Sequence, residues 1–153
     1  MDTTRMNETA AATDRPPPRD DAHAALAALM ADFFAAVSFK PGNRPDYKRI
    51  QTLVVPACRF VNASADPPEF VDLAGFIVPR QRSVDALELT AFEEVETSAA
   101  THVFANIGQR WSAYTKRGTR HGQDFSASGF VSTQFVLLDG AWLITSMAWD
   151  DET

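Results

Sequence analysis

Few side chains in this sequence are placed to move a proton. Asp32, Tyr47, His102, Tyr114 and His121 are ionisable and interleaved with apolar stretches. Histidine ionises near neutral pH and passes a proton in either direction, whereas tyrosine and aspartate need an apolar surround to do so. Each candidate also has a plainer reading. His102 shares a strand face with Phe104 and Asn106, where neighbours can simply satisfy it, and His121 sits in KRGTRHGQD, a polar hairpin loop. Asp66 precedes Pro67 and Pro68 and reads as a turn residue. Glu93, Glu94 and Glu96 fall on both faces of a strand and read as a solvated edge. Cys58, the only cysteine, stands among Val54, Val55, Phe60 and Val61 as a small buried hydrophobe.

Other chemistries lack their residues. Three separated histidines and scattered carboxylates do not have metal-ligand spacing, so no metal and no cofactor is expected. The sequence contains neither a phosphate-cradling glycine loop nor a serine nucleophile elbow. With a net charge of −6 and no basic stripe, it has no face for nucleic acid. No apolar run approaches the ~20 residues that span a bilayer, and none serves as a secretory signal. A cytoplasmic protein without a membrane partner is expected.

The elements that must position these residues follow from periodicity. Residues 1–20 lack it and contain Pro16-Pro17-Pro18, which predicts a disordered leader before one domain over 21–153. Leu26, Leu29, Met30, Phe33 and Val37 form one stripe of a first helix opened by Asp21. A second helix is predicted from Asp46 to Pro56 and a short strand over Cys58–Ser64, and the dense apolar run Phe70–Val78, ended by Pro79, reads by pattern as a buried helix or strand. From Leu87 the period becomes two. Four strands are predicted: ALELTAFEEVET, HVFANIGQRWSAY, FSASGFVSTQFVLL and AWLITSMAW. Asp139-Gly140 is the turn of the last hairpin. Helices first and antiparallel strands afterwards make an α+β fold.

This order, and above all the ending FVSTQFVLLDGAWLITSMAWDDET, resembles the nuclear transport factor 2-like superfamily, in particular its SnoaL-like and ketosteroid isomerase-like members. The resemblance covers Ala22 to Thr153. It implies a cone-shaped, strongly curved antiparallel sheet with three N-terminal helices over its concave face, a pocket open at one end, and a homodimer through the sheet. In the isomerase-like members a base follows the first strand, which here falls on Asp66. Their second pocket acid aligns with Gln134, so Ser132 and Phe130 would share its inward face. The hairpin likewise places Thr145, Met147 and Trp149 toward the pocket. Phe60 and Phe76 would close the remaining sides, with Tyr47 and His102 nearest for proton transfer. The first helix carries Phe33 and Phe34 where those members have a tyrosine.

Three functions fit that reading. One is an acid/base lyase, isomerase or cyclase acting on a small apolar ketone- or phenol-like compound. The others are a non-catalytic ligand-binding module and a dimeric accessory subunit.

Overall fold

The computed structural model describes residues 19–152, with side chains from residue 21; the segment read as a leader lies, up to residue 18, outside the described residues. The elements in chain order are α1 (Arg19–Val37), α2 (Tyr47–Ile50), β1 (Val54–Asn62), β2 (Glu69–Val71), α3 (Leu73–Asp85), β3 (Leu89–Phe104), β4 (Ile107–Arg120), β5 (Gln123–Leu138) and β6 (Ala141–Asp151). The fold is α+β: one curved, unclosed sheet in the order β2-β1-β6-β5-β4-β3, covered by the helices. β3 to β6 form an antiparallel meander, β2 pairs antiparallel with β1, and β1 runs parallel to β6.

The α1 stripe folds as its spacing demands. Leu26, Leu29, Met30, Phe33 and Val37 are all buried, facing the sheet. At Gly108 a Cβ atom would come within 2.7 Å of Leu26 Cδ1, so glycine lets the helix lie close to the strands. No helix among the described residues is long and apolar enough to cross a membrane.

Several elements depart from the expected boundaries, each for a physical reason. α2 stops at Ile50, because Val54 and Val55 are recruited into β1; Val54 pairs with Ile144. Pro56 lies inside β1, in the stretch between Val54 and Arg59 where the register to β6 shifts, and there its missing N–H costs no ladder bond. Pro79 does not end α3, which continues to Asp85 after an N-cap in which Asp72 accepts from the Gly75 N–H at 2.8 Å. The expected strand from His102 to Tyr114 is two strands, joined by a turn at Ala105-Asn106 with Ala105 at φ 47°. Alanine rarely adopts that backbone, so nothing in the local sequence marks the turn. The hairpin at Asp139-Gly140 has positive φ at both residues, as expected.

Two irregularities bend the sheet and decide which side chains face inward. The register of β3 shifts between Glu96 and Ser98, and that of β5 with β6 shifts at Thr145. On β5 the inward, buried residues are Val131, Thr133 and Phe135. Phe130 and Gln134 are exposed on the outer face with Ser132 between them, opposite to the expected orientation. A slip of one residue in register exchanges the two faces of a strand, and alignment on the Asp139-Gly140 turn made that slip.

Gly129 is the tightest point of the inner face. A Cβ there would lie 2.2 Å from the Asp150 carbonyl oxygen and 2.6 Å from the Tyr114 hydroxyl. Tyr114 crosses this gap, fully buried, to donate to Asp151 at 2.5 Å. Replacing Gly129 by alanine must push backbone apart and break that bond. A loss of about 2 kcal/mol is expected in thermal denaturation, typical of overpacking; a Gly129→Ala variant as stable as the wild type would contradict this packing.

Candidate functional site

The curl of the sheet leaves a cavity of about 700 Å³ between α1, α3 and the inner face. Its walls are mixed: Phe33, Phe34, Phe76, Phe92, Phe125 and Trp149 contribute rings, and Glu69, Arg120, His121, Gln123 and Asp124 are among the polar groups that share the lining. The anchor of one wall is Phe76 on α3. Its ring stacks on Phe60 of β1 at 4.4 Å between centroids, and lies 6.0 Å from the rings of Phe33 and Trp149. One turn later on the same helix, Arg80 places its guanidinium 3.8 Å from the centre of the Phe76 ring and 6.0 Å from that of Trp149. Nη1 donates to the Phe76 carbonyl at 2.9 Å.

Arg80, Glu94 and Tyr47 all line this cavity. Among the described residues no carboxylate lies within ion-pair distance of Arg80. Burial lowers its basicity, and the charges of Tyr47, Glu94 and Glu69 work against that fall. The Glu94 carboxyl is pushed up to about 7, first by burial; Lys116 and Arg80 pull it down and Asp151 raises it. Tyr47 is buried and its hydroxyl is likewise raised by burial, partly offset by Arg80 and Arg120. The Glu94 backbone N–H donates to Ser38 Oγ at 3.1 Å, which helps to seat the residue, while no hydrogen bond contributes to the shift of either carboxyl or hydroxyl. Lys116 also reaches the cavity but is committed, its Nζ 2.8 Å from Asp151 Oδ2.

Glu96, two residues along β3, supplies the internal comparison. It too faces inward, but Arg110 grips both of its oxygens, at 2.6 and 3.0 Å, and Ser112 donates at 2.7 Å. Burial alone would raise its carboxyl; these hydrogen bonds hold it below the usual range. One carboxylate is built into the structure and the other is left facing an open cavity.

Of the residues singled out in the sequence, Tyr47, Phe76, Met147 and Trp149 line the cavity, as do Phe33 and Phe34 of α1 and His121 at the turn between β4 and β5. Phe60 lies behind Phe76, wholly buried, and supports the wall without reaching the space. Thr145 is the extra residue of the β6 irregularity and is not part of the lining. Asp66 is exposed in the turn between β1 and β2. His102 is exposed on the outer face of β3, where its Nδ1 lies 3.4 Å from Gln109 Nε2. Phe130, Ser132 and Gln134 lie on the outer face, away from the cavity.

Arg80 and Glu94 escaped the sequence reading. Continuing the third helix past Pro79 would have set Arg80 one turn from Phe76, on the same side. Alternation from Phe92 would have brought Glu94 and Glu96 to that strand's inner face.

A strongly curled sheet with helices over its concave side and a ligand-sized cavity between them defines a class of small cone-shaped proteins. No family profile matches this sequence, and no curated protein matches it. Solved structures do match its fold. An NTF2-like superfamily protein from Salmonella enterica serovar Typhimurium has a TM-score of 0.74 at 11% identity, over 89% of this chain and 94% of that one. The hexachlorocyclohexane dehydrochlorinase LinA-type3 from Novosphingobium barchaimii has a TM-score of 0.73 at 13% identity, over 88% and 89%. A protein from Kribbella flavida has a TM-score of 0.72 at 11% identity, over 89% and 94%. The chain has the nuclear transport factor 2-like fold.

The raised Glu94 links stability to pH. Below pH 4.5 the carboxyl is protonated in both the folded and the unfolded chain, and its burial is harmless. As pH rises toward about 7 the unfolded chain ionises freely and the folded one does not, so folded stability falls. Glu94→Gln removes this slope. Chemical denaturation at pH 5, 6, 7 and 8 should show the variant gaining on the wild type by on the order of 3 kcal/mol across the window; parallel curves would contradict the assignment.

Proposed function

We propose that the protein binds a small, largely apolar molecule in this cavity and moves a proton on it, as a lyase, isomerase or cyclase. The observation that carries this reading is the convergence of Glu94, Arg80 and Tyr47 on one aromatic-walled space, without the ion-pair partners that Glu96 has. Apolar walls supply affinity, and a few unsatisfied polar groups set orientation.

In this reading Glu94 is the base. With its carboxyl near 7, a useful fraction is ionised at neutral pH, and the conjugate acid is strong enough to return the proton. It takes a proton from the carbon beside a carbonyl, and the C–H electron pair moves toward the carbonyl oxygen. The Tyr47 hydroxyl, itself buried, donates to that oxygen as it gains charge. Returning the proton to a different carbon completes an isomerisation; expelling a leaving group from the neighbouring carbon completes an elimination. A dehydrochlorinase shares the fold, which fits the second course. Asp66 and His102 take no part in this scheme.

Apolar ketones and phenols titrated against Trp149 fluorescence test binding. Deuterium exchange at the α-carbon of a bound ketone, followed by NMR, tests proton transfer. Glu94→Gln should slow exchange by ~10²–10⁴-fold while ligand still binds, and Tyr47→Phe should slow it less. Binding without exchange in the wild type would favour a non-catalytic binding module.

We infer a homodimer through the outer sheet face. Trp111 and Phe130 stack there with centroids 5.4 Å apart, 54% and 37% exposed, beside Val95 at 44%. Ala100, Ala113, Ser132 and Ala148 surround the pair and keep the face low enough for a second sheet to approach. An apolar patch of this kind on a broad face favours association with a copy of itself. Light scattering at micromolar concentration should give twice the chain mass, and Trp111→Glu should give the monomer with ligand binding retained; a monomeric wild type would refute it.

A further inference from the structure

The state of Arg80 narrows the chemistry of the ligand, taking as given that the cavity is the binding site. A guanidinium has five N–H donors in a planar fork, and burying it is costly unless the fork is satisfied. Here one nitrogen is used, on the Phe76 carbonyl. The guanidinium carbon lies over the Phe76 ring, 3.8 Å from its centre. A cation over the face of a ring is held in place without consuming its N–H donors. Arg110, also on the inner face, shows the alternative: it is closed on Glu96 and also donates to Thr101 at 2.7 Å. The fold can satisfy a buried arginine with its own carboxylate, and at Arg80 it does not.

We propose that the ligand carries a carboxylate, held by the open edge of the Arg80 fork, on an aromatic or similarly flat apolar body. The match is geometric, because two parallel N–H groups meet two carboxylate oxygens. The match in charge is also close. Arg80 offers a positive charge with no ion-pair partner, Lys116 is taken up by Asp151, and the one further lining cation, Arg120, stands against three lining carboxyls, Glu69, Glu94 and Asp124, which together would repel a dianion. A single negative charge therefore fits where a phosphate monoester does not. The rings of Phe33, Phe92 and Phe125 give an apolar body a surface to lie on. With the carboxylate held at Arg80, Tyr47 and Glu94 are left for the reacting end of the molecule.

The test is calorimetric titration of the full chain with benzoate, 2-naphthoate and indole-3-acetate, each against its own carboxamide, with 2-naphthol and 2-acetylnaphthalene as neutral oxygen probes. At least one acid should bind roughly tenfold tighter than its amide. Arg80→Gln should abolish that preference while leaving amide affinity unchanged, and Arg80→Lys should keep only part of it. If Arg80→Gln does not fold, the wild-type preference and its reduction in Arg80→Lys decide. Amides that bind as well as the acids, or a preference that survives Arg80→Gln, would overturn the proposal. Binding of the naphthol or the ketone without any acid would overturn it too and leave the proton-transfer reading standing. Silence from every probe would remove both.

Discussion

The contact on which the site depends is the stack of Phe76 on Phe60. Of the α3 residues only Phe76 and Val84 are buried, with Leu73 and Ile77 partly buried against the same core. Through this one ring the helix is fastened to β1, the aromatic wall is completed with Phe33 and Trp149, and Arg80 receives a surface to lie on. An offset aromatic pair adds about 1 kcal/mol beyond the area it buries. Its larger effect is orientational. A side chain one turn along the helix inherits the direction of the ring, so an arginine that would otherwise seek solvent is kept inside.

The inner face thus holds two polar centres of opposite character. Around Glu96, Arg110, Ser112 and Thr101 every strong donor meets an acceptor, and the cluster is a structural strut beneath the strands. Around Arg80, Glu94 and Tyr47 charge is desolvated without being paired. Desolvation without pairing raises the free energy of the folded state, which is why a carboxyl there titrates near neutrality. Sites that bind or react commonly carry such a cost, whereas purely structural polar groups are satisfied.

Much of the architecture was legible in local pattern. The stripe of α1, the change of period near Leu87 and the Asp139-Gly140 turn each encode their element in a few residues, and the resemblance of the last hairpin pointed to the fold. Facing direction was harder to read. Whether Val131 or Ser132 points inward depends on a single residue of register, and the irregularities at Thr97 and Thr145 reset the alternation without a glycine or proline to announce them. Pro79 hid Arg80 because proline is a helix breaker on average, yet tertiary packing of Phe76 and Val84 carries α3 through it. Glu94 was hidden in a run of acidic residues, where Glu93 does face solvent and pairs with Arg117. The aromatic lining was easier to find, because large apolar side chains seek the interior whatever the register.

The parallel pairing of β1 with β6 has a consequence for how the chain comes to be folded. β3 to β6 are joined by tight turns and can zip together from neighbouring segments. β1 has only the three-residue β2 from its own neighbourhood, paired along one end. Its parallel mate is the last strand, and Leu53 and Ala63 at its two ends are bonded to Ile144 and Trp149. Contacts of that sequence separation form late, after the entropy of a long loop has been met. During synthesis the wall carrying Phe60, and with it the seat of Phe76, has nothing to close against until β6 has left the ribosome. The helices must wait with their apolar stripes uncovered, and the nascent chain is most vulnerable to aggregation in that interval.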